Sequence, residues 1–71
     1  MKEIRFRIVP NVGSDSILYE VYEDTYDEHS ASPSTEHIGT KPTRKEAIEL
    51  AQARAATFED QEGVVVTEVP K

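Results

Sequence analysis

The chain has no cysteine, no tryptophan and no long hydrophobic run among its 71 residues. Without cysteine it can form neither a disulfide framework nor a thiolate zinc site. No segment approaches the roughly 20 apolar residues of a membrane-spanning helix, and no apolar stretch follows the N-terminal charges as in a signal peptide. We therefore expect one small cytoplasmic domain without a membrane segment, stabilised by a thin core.

Positive charge is also scarce. Acidic residues outnumber lysine and arginine by 14 to 8, which gives a formal net charge of −6. The excess is local, because five of the acids and none of the bases fall in residues 22–37, YEDTYDEHSASPSTEH. Nucleic acid is a poor partner for such a chain, since phosphate contacts require a positive surface.

Two segments near the N-terminus alternate apolar and polar residues with the period of a β-strand. They are residues 2–9, KEIRFRIV, and residues 17–25, ILYEVYEDT. The stretch between them is rich in turn-forming residues, so the two strands are expected to pair as an antiparallel hairpin. Residues 35–39, TEHIG, are a candidate for a short third strand.

Residues 40–58 have the pattern of an amphipathic helix that begins after Pro42. Thr43 and Glu46 have the spacing of a capping box, in which each side chain accepts a hydrogen bond from the other residue's backbone N–H. An alanine-rich stripe follows, and such small side chains let a helix lie close to a sheet. Gly63 and the β-branched run at residues 64–69, VVVTEV, predict a last strand.

The order strand, strand, short strand, helix, strand predicts an α+β fold. We expect a two-layer sandwich over residues 1–71, with a mainly antiparallel sheet, one helix on one face, and a flexible acidic loop at about residues 26–36. If the last strand lies parallel to the first, the strand order is 3-2-1-4. The expected core comprises Ile4, Phe6, Ile8, Tyr19, Val21, Ile48, Ala51, Ala55, Phe58, Val64 and Val66.

One face of this sheet is left without a helix, and the alternation places Arg5, Arg7, Glu20 and Tyr22 on it. Arginine–glutamate pairs between neighbouring strands contribute a few tenths to about 1 kcal/mol, which is the simplest reason for these residues. Arginine beside an exposed tyrosine can also anchor a protein partner, or stack on nucleic-acid bases.

The acidic stretch at residues 22–37 has three interpretations. The simplest is a solvated connection. It could instead be a recognition element for a basic protein surface, with Glu23, Asp24, Asp27 and Glu28 as its contacts, or a nucleic-acid mimic like the small acidic inhibitors that phages encode. His29 and His37 do not have a metal-ligand spacing, so neither a metal nor a cofactor is expected.

The sequence contains no catalytic motif. It has no cysteine nucleophile, no serine elbow and no glycine-rich phosphate loop. We expect a non-enzymatic binding module of a bacterium or phage, encoded by a mobile element, that engages a protein through the sheet face or the acidic loop. The alternative is a nucleic-acid-binding accessory domain that uses Arg5, Arg7 and Tyr22. A homodimer through the sheet face or an edge strand is a further option.

Four pieces of the chain resemble, in their order and character, the domain of unknown function 2188 family of short bacterial proteins. The pieces are RFRIVP, YEVYED, TRKEAIELAQARA and VVVTEV. They correspond to an N-terminal hairpin, a T-x-x-E-A-[IL] helix start and a final valine-rich strand. The acidic insertion and the lack of tryptophan depart from the family. The resemblance implies a fold, but neither an activity nor a site.

Overall fold

A computed structural model describes residues 1–71 as one four-stranded sheet with a single helix. The elements are β1 Lys2–Val12, β2 Ile17–Asp27, β3 Ser34–Lys41, α1 Arg44–Ala56 and β4 Val64–Glu68. The strand order is β3-β2-β1-β4, with β1 antiparallel to β2, β2 antiparallel to β3, and β1 parallel to β4. The predicted α+β class, the third strand and the 3-2-1-4 order are confirmed. The helix is neither long nor apolar enough to cross a membrane.

The connection between β2 and β3 is shorter than the predicted loop at about 26–36. β2 continues to Asp27, which pairs with Lys2 of β1, and β3 begins at Ser34, which pairs with Thr25. Only residues 28–33 therefore lie between the two strands. The prediction was wrong at both ends, because pairing with β1 extends β2 to Asp27 and pairing with β2 brings Ser34 into β3.

A β-bulge in β3 fits this strand beneath the helix. Val21 pairs with Gly39 and Tyr22 pairs with His37, so Ile38 is the extra residue. The bulge turns both Ile38 and Gly39 towards the helix side. A Cβ at position 39 would lie 2.9 Å from Leu50 Cδ2, so any larger residue there would require the Leu50 side chain to shift.

The helix begins at the predicted N-cap. Thr43 is extended, and its hydroxyl accepts a hydrogen bond from the backbone N–H of Glu46 at 3.2 Å. The return bond of a complete capping box is not made, so the motif supplies one of its two bonds. Three small side chains at four-residue spacing, Ala47, Ala51 and Ala55, are buried against the sheet.

The core is thin, as expected, but it contains Ala47, which was not predicted, and lacks Ile48, which was. Ile48 is only half-buried and does not belong to the core, because Ala47 and Leu50 define the contact stripe and turn Ile48 to its flank. Val21 is completely buried at the centre of the sheet. The buried core consists of Ile4, Phe6, Val21, Ala47, Ala51 and Ala55, with Ile8, Tyr19, Ile38, Leu50, Phe58, Val64, Val66 and Val69 packed around it.

The molecule is elongated, with extents of 42 × 25 × 15 Å. β4 pairs with β1 only as far as Arg5, and β3 pairs with β2 only as far as Tyr19. The far end of the β1–β2 hairpin therefore extends beyond both neighbouring strands. We call this end, residues 10–18, the hairpin arm. It carries three of the large exposed apolar side chains, Val12, Ile17 and Leu18.

Candidate functional site: the open face of the sheet

The sheet surface opposite α1 is covered by no other element, and we call it the open face. Side chains that point to it share the alternate positions of the strands, because directly paired residues lie on the same side of a sheet. As predicted, Arg5, Arg7, Glu20 and Tyr22 lie there rather than beneath the helix. The open face consists of Glu3, Arg5, Arg7 and Val9 of β1, Glu20, Tyr22, Asp24 and Tyr26 of β2, Thr35, His37 and Thr40 of β3, and Val65 and Glu68 of β4.

Two arginine guanidinium groups lie over two tyrosine rings across the β1–β2 pair. The Arg5 guanidinium carbon is 4.5 Å from the centre of the Tyr26 ring, and that of Arg7 is 4.6 Å from the Tyr22 ring. Both distances lie within the range of favourable cation–π contacts. The stacks make a row of planar groups along the middle of the open face.

Carboxylates fix both guanidinium groups in these positions. Arg5 donates to Glu3, and this hydrogen bond raises the pKa of Arg5. Arg7 donates from Nε to Asp24 Oδ2 at 2.8 Å. Since each arginine has an acidic partner, the row carries no excess positive charge.

Asp24 is the polar centre of the open face and is only 7% exposed. Its Oδ1 accepts from the Thr35 hydroxyl at 2.7 Å, while its Oδ2 accepts from Arg7. Burial raises the pKa of Asp24, but the hydrogen bonds from Thr35 and Arg7 outweigh burial and hold the pKa below its usual range. Asp24 thereby links β1, β2 and β3 on the side that lacks a helix.

The depressed pKa of Asp24 predicts a loss of stability in acid. The folded state binds this proton less readily than the unfolded chain, so the contribution of Asp24 is present above about pH 4 and is lost as the pH falls through the folded pKa. Urea unfolding between about pH 2 and pH 6 should show a falling free energy of unfolding. Asp24→Asn should show a weaker dependence over this window, and an unchanged dependence would contradict the network.

His37 lies in β3, within the segment predicted as a short third strand. Its ring meets the Tyr22 ring edge-on, with the ring centres 5.2 Å apart. Its Nε2 is 3.2 Å from the Thr40 hydroxyl and 3.7 Å from a carboxylate oxygen of Glu20. The bulge after His37 sets this orientation. The two-residue spacing of Thr35 and His37 in the predicted strand indicates that both side chains lie on the same face of the sheet.

The four acidic residues proposed as contacts do not lie together. Glu23 is buried on the helix side, where Arg54 donates to its Oε1 at 2.9 Å, and Asp24 is buried on the open face. A partner therefore has little access to either carboxylate. The phase of the strand predicts this separation, because neighbouring residues of a strand point to opposite faces.

Asp27 and Glu28 lie at the end of the hairpin near the N-terminus. The Asp27 carboxylate accepts from the His29 backbone N–H at 3.0 Å, and this hydrogen bond lowers the pKa of Asp27. Glu28 accepts from the Met1 ammonium at 2.9 Å while remaining largely exposed. Asp27 thus closes the turn after β2, and Glu28 stays accessible to a partner.

A shallow cavity of about 370 Å³ lies at this end of the open face. Tyr26 and Val65 contribute apolar surface, and Glu3, Asp27 and Glu28 contribute carboxylates. Val65 is 42% exposed, so the apolar part is accessible to a side chain of another protein. Lys2 and the Met1 ammonium also line the cavity, and the ammonium already pairs with Glu28, so the carboxylates exceed the positive groups by only one. The apolar surface suits the stem of a long side chain, and the small excess of carboxylates favours a cationic end.

No three histidine, aspartate or glutamate side chains converge in a way that could hold a metal ion. No protein-family model, curated protein or solved structure matches the chain. The resemblance to the domain of unknown function 2188 family therefore stays a prediction.

Proposed function

We propose that the chain is a small non-enzymatic protein-binding module whose open face docks on a partner protein. The row of stacked arginines and tyrosines is the observation that carries this proposal. Tyrosine and arginine are enriched among the residues that dominate binding energy at protein interfaces. Here they are held in place by carboxylates before any partner arrives, so little conformational entropy is lost on binding.

The charges of the open face favour a partner with a neutral or basic surface. Four carboxylates, those of Glu3, Glu20, Asp24 and Glu68, accompany the two guanidinium groups on this face. The cavity beside Tyr26 adds Asp27 and Glu28 at its rim, together with Lys2 and the Met1 ammonium. A lysine or arginine side chain of the partner would therefore find both charge complementarity and apolar contact there.

Binding of nucleic acid through the same face has less support. Both arginines are neutralised by Glu3 and Asp24, and each guanidinium already occupies the ring face on which a base would stack. Phosphate binding needs free positive charge. A cytoplasmic location and a role as a mobile-element-encoded inhibitor in a bacterium or phage stay predictions within this proposal.

A capture experiment with matched variants tests the proposal. The immobilised chain should retain a specific protein from lysate of its host, and the protein should remain bound after nuclease treatment. Tyr22→Ala and Tyr26→Ala should each weaken its binding about tenfold or more, because each removes an aromatic anchor. Glu49→Ala, on the exposed outer side of α1, should bind like the wild type.

Two results would overturn the proposal. One is loss of the captured protein on nuclease treatment, which would indicate binding through nucleic acid. The other is equal binding by the two tyrosine variants and the wild type, which would place the interface elsewhere. Circular dichroism of each variant verifies that the fold is intact before binding is compared.

A further inference from the structure

We infer that a second copy of this chain pairs with the free edge of β1, so that two sheets join into one across a two-fold axis. The first observation is the shape of the chain. Its radius of gyration is 13.1 Å, whereas a compact domain of 71 residues has about 11 Å. Its accessible surface is 4897 Å², against about 4,450 Å² for a monomer of 8.0 kDa. The chain thus exposes more surface than a compact monomer does.

The second observation is an unpaired strand edge. β4 pairs with β1 only over Lys2–Arg5, so residues 7–12 of β1 have only β2 as a paired neighbour. The backbone N–H of Lys2 donates to the Gly63 carbonyl on the β4 side of β1. The backbone N–H of Gly13 donates to the Ser16 carbonyl on the β2 side. Because these directions alternate along a strand, Ile8, Pro10 and Val12 direct their backbone groups outwards.

The third observation is the proline in this edge. Pro10 has no N–H, and a proline on an edge strand commonly discourages pairing. Here it removes one outward donor, while Ile8 and Val12 keep theirs. Val12 is 72% exposed and lies beside this edge with an apolar side chain. An edge flanked by exposed apolar residues is a template for pairing with another strand.

The prolines and β4 together select one register for two antiparallel copies of β1. A two-fold axis at Pro10 would place the two Pro10 residues opposite each other, and neither has a backbone N–H to donate to the other. An axis at Ile8 would bring Val12 of the second copy to Ile4, where Val66 of β4 already lies. An axis at Val9 avoids both conflicts and pairs residues 6–12 of the two copies, whereas an axis at Asn11 would pair only residues 10–12.

In the Val9 register, Ile8 donates to the Pro10 carbonyl of the second copy, and Val12 donates to its Phe6 carbonyl. The two Val9 residues face each other as a non-hydrogen-bonded pair, with Cα atoms about 4.5 Å apart. A symmetric interface of this kind repeats each contact twice. The pairing leaves the open face uncovered, so it is independent of the function proposed above.

A cysteine at the axis tests the register, because the chain contains no other cysteine. Sedimentation at high micromolar concentration should give a species of twice 8.0 kDa. Val9→Cys should form a disulfide-linked dimer under mild oxidation, since this separation suits a disulfide. Val12→Cys is the control, because the two Val12 residues would lie about 20 Å apart and should not crosslink.

A backbone variant gives a second test. Val12→Pro removes an outward donor in each copy and should weaken the dimer about 30-fold, whereas Val12→Ala keeps the donor and should weaken it less. A purely monomeric wild type would overturn the inference. So would a dimer in which Val12→Cys crosslinks as readily as Val9→Cys.

Discussion

Phe6→Ala is expected to remove about 3–5 kcal/mol from the free energy of unfolding. Phe6 is 3% exposed and belongs to a buried core of only six residues beneath the alanine stripe of α1. A domain of 71 residues has roughly 4–10 kcal/mol of stability in total, so the variant should be largely unfolded or close to it. Urea denaturation followed by circular dichroism measures the loss.

Ile48→Ala is the matched control for this prediction. The helical periodicity of the sequence places Ile48 in the core, whereas the structure places it on the flank of the helix and only half-buried. Its truncation should cost about 1 kcal/mol or less. Equal losses for Phe6→Ala and Ile48→Ala would contradict the packing of α1 on the sheet.

Arg54→Ala is expected to destabilise the fold by about 2–3 kcal/mol. The variant leaves the Glu23 carboxylate, 5% exposed on the helix side of the sheet, without its positive partner. Breaking a fully buried ion pair costs about 3–5 kcal/mol, but the Arg54 side chain is 41% exposed, so solvent reduces the loss. Arg54 also packs on the Phe58 ring, with its guanidinium carbon 5.1 Å from the ring centre.

The double variant Glu23→Leu with Arg54→Leu separates the ion pair from simple packing. Replacing both charges by apolar side chains of similar size is often neutral or stabilising. We therefore expect the double variant to be at least as stable as the wild type in urea. If it is as unstable as Arg54→Ala, the cost does not come from an uncompensated carboxylate.

The division of the sheet into a covered and an open face could be predicted from the sequence. Because side chains alternate along β1, Ile4 and Phe6 lie on one face of the sheet and Arg5 and Arg7 lie on the other. The alanine stripe of α1 then determines which side is covered. These are local patterns with a fixed period, and tertiary contacts do not alter them.

The contacts within the open face could not be predicted in the same way. Tyr26 falls within an acid-rich, proline-broken stretch predicted as a loop, and only its pairing with β1 makes it part of the sheet. His37 falls in the predicted third strand, but its contact with Tyr22 depends on how β3 pairs with β2. The β3 bulge shifts the phase at Ile38, which no local pattern indicates. Burial of Asp24 depends on Thr35 and Arg7, which are distant in sequence.

The burial of Glu23 could not be predicted from the sequence either. Its position in phase with Val21 predicts that it points to the helix, but the acidity of its neighbours favours a solvated interpretation. The partner that makes burial acceptable, Arg54, lies 31 residues later on the helix. The burial of Glu23 therefore depends on a long-range ion pair that the local composition does not indicate.

Site-specific photocrosslinking tests the central claim, that the open face contacts a partner protein, most directly. A photoreactive amino acid would replace Val65, which is 42% exposed on the open face, or Ala53, which is exposed on the outer side of α1. Irradiation in the host cell should give a crosslinked protein adduct from position 65 and none from position 53. An adduct from position 53 alone, or adducts of equal yield from both positions, would contradict the account.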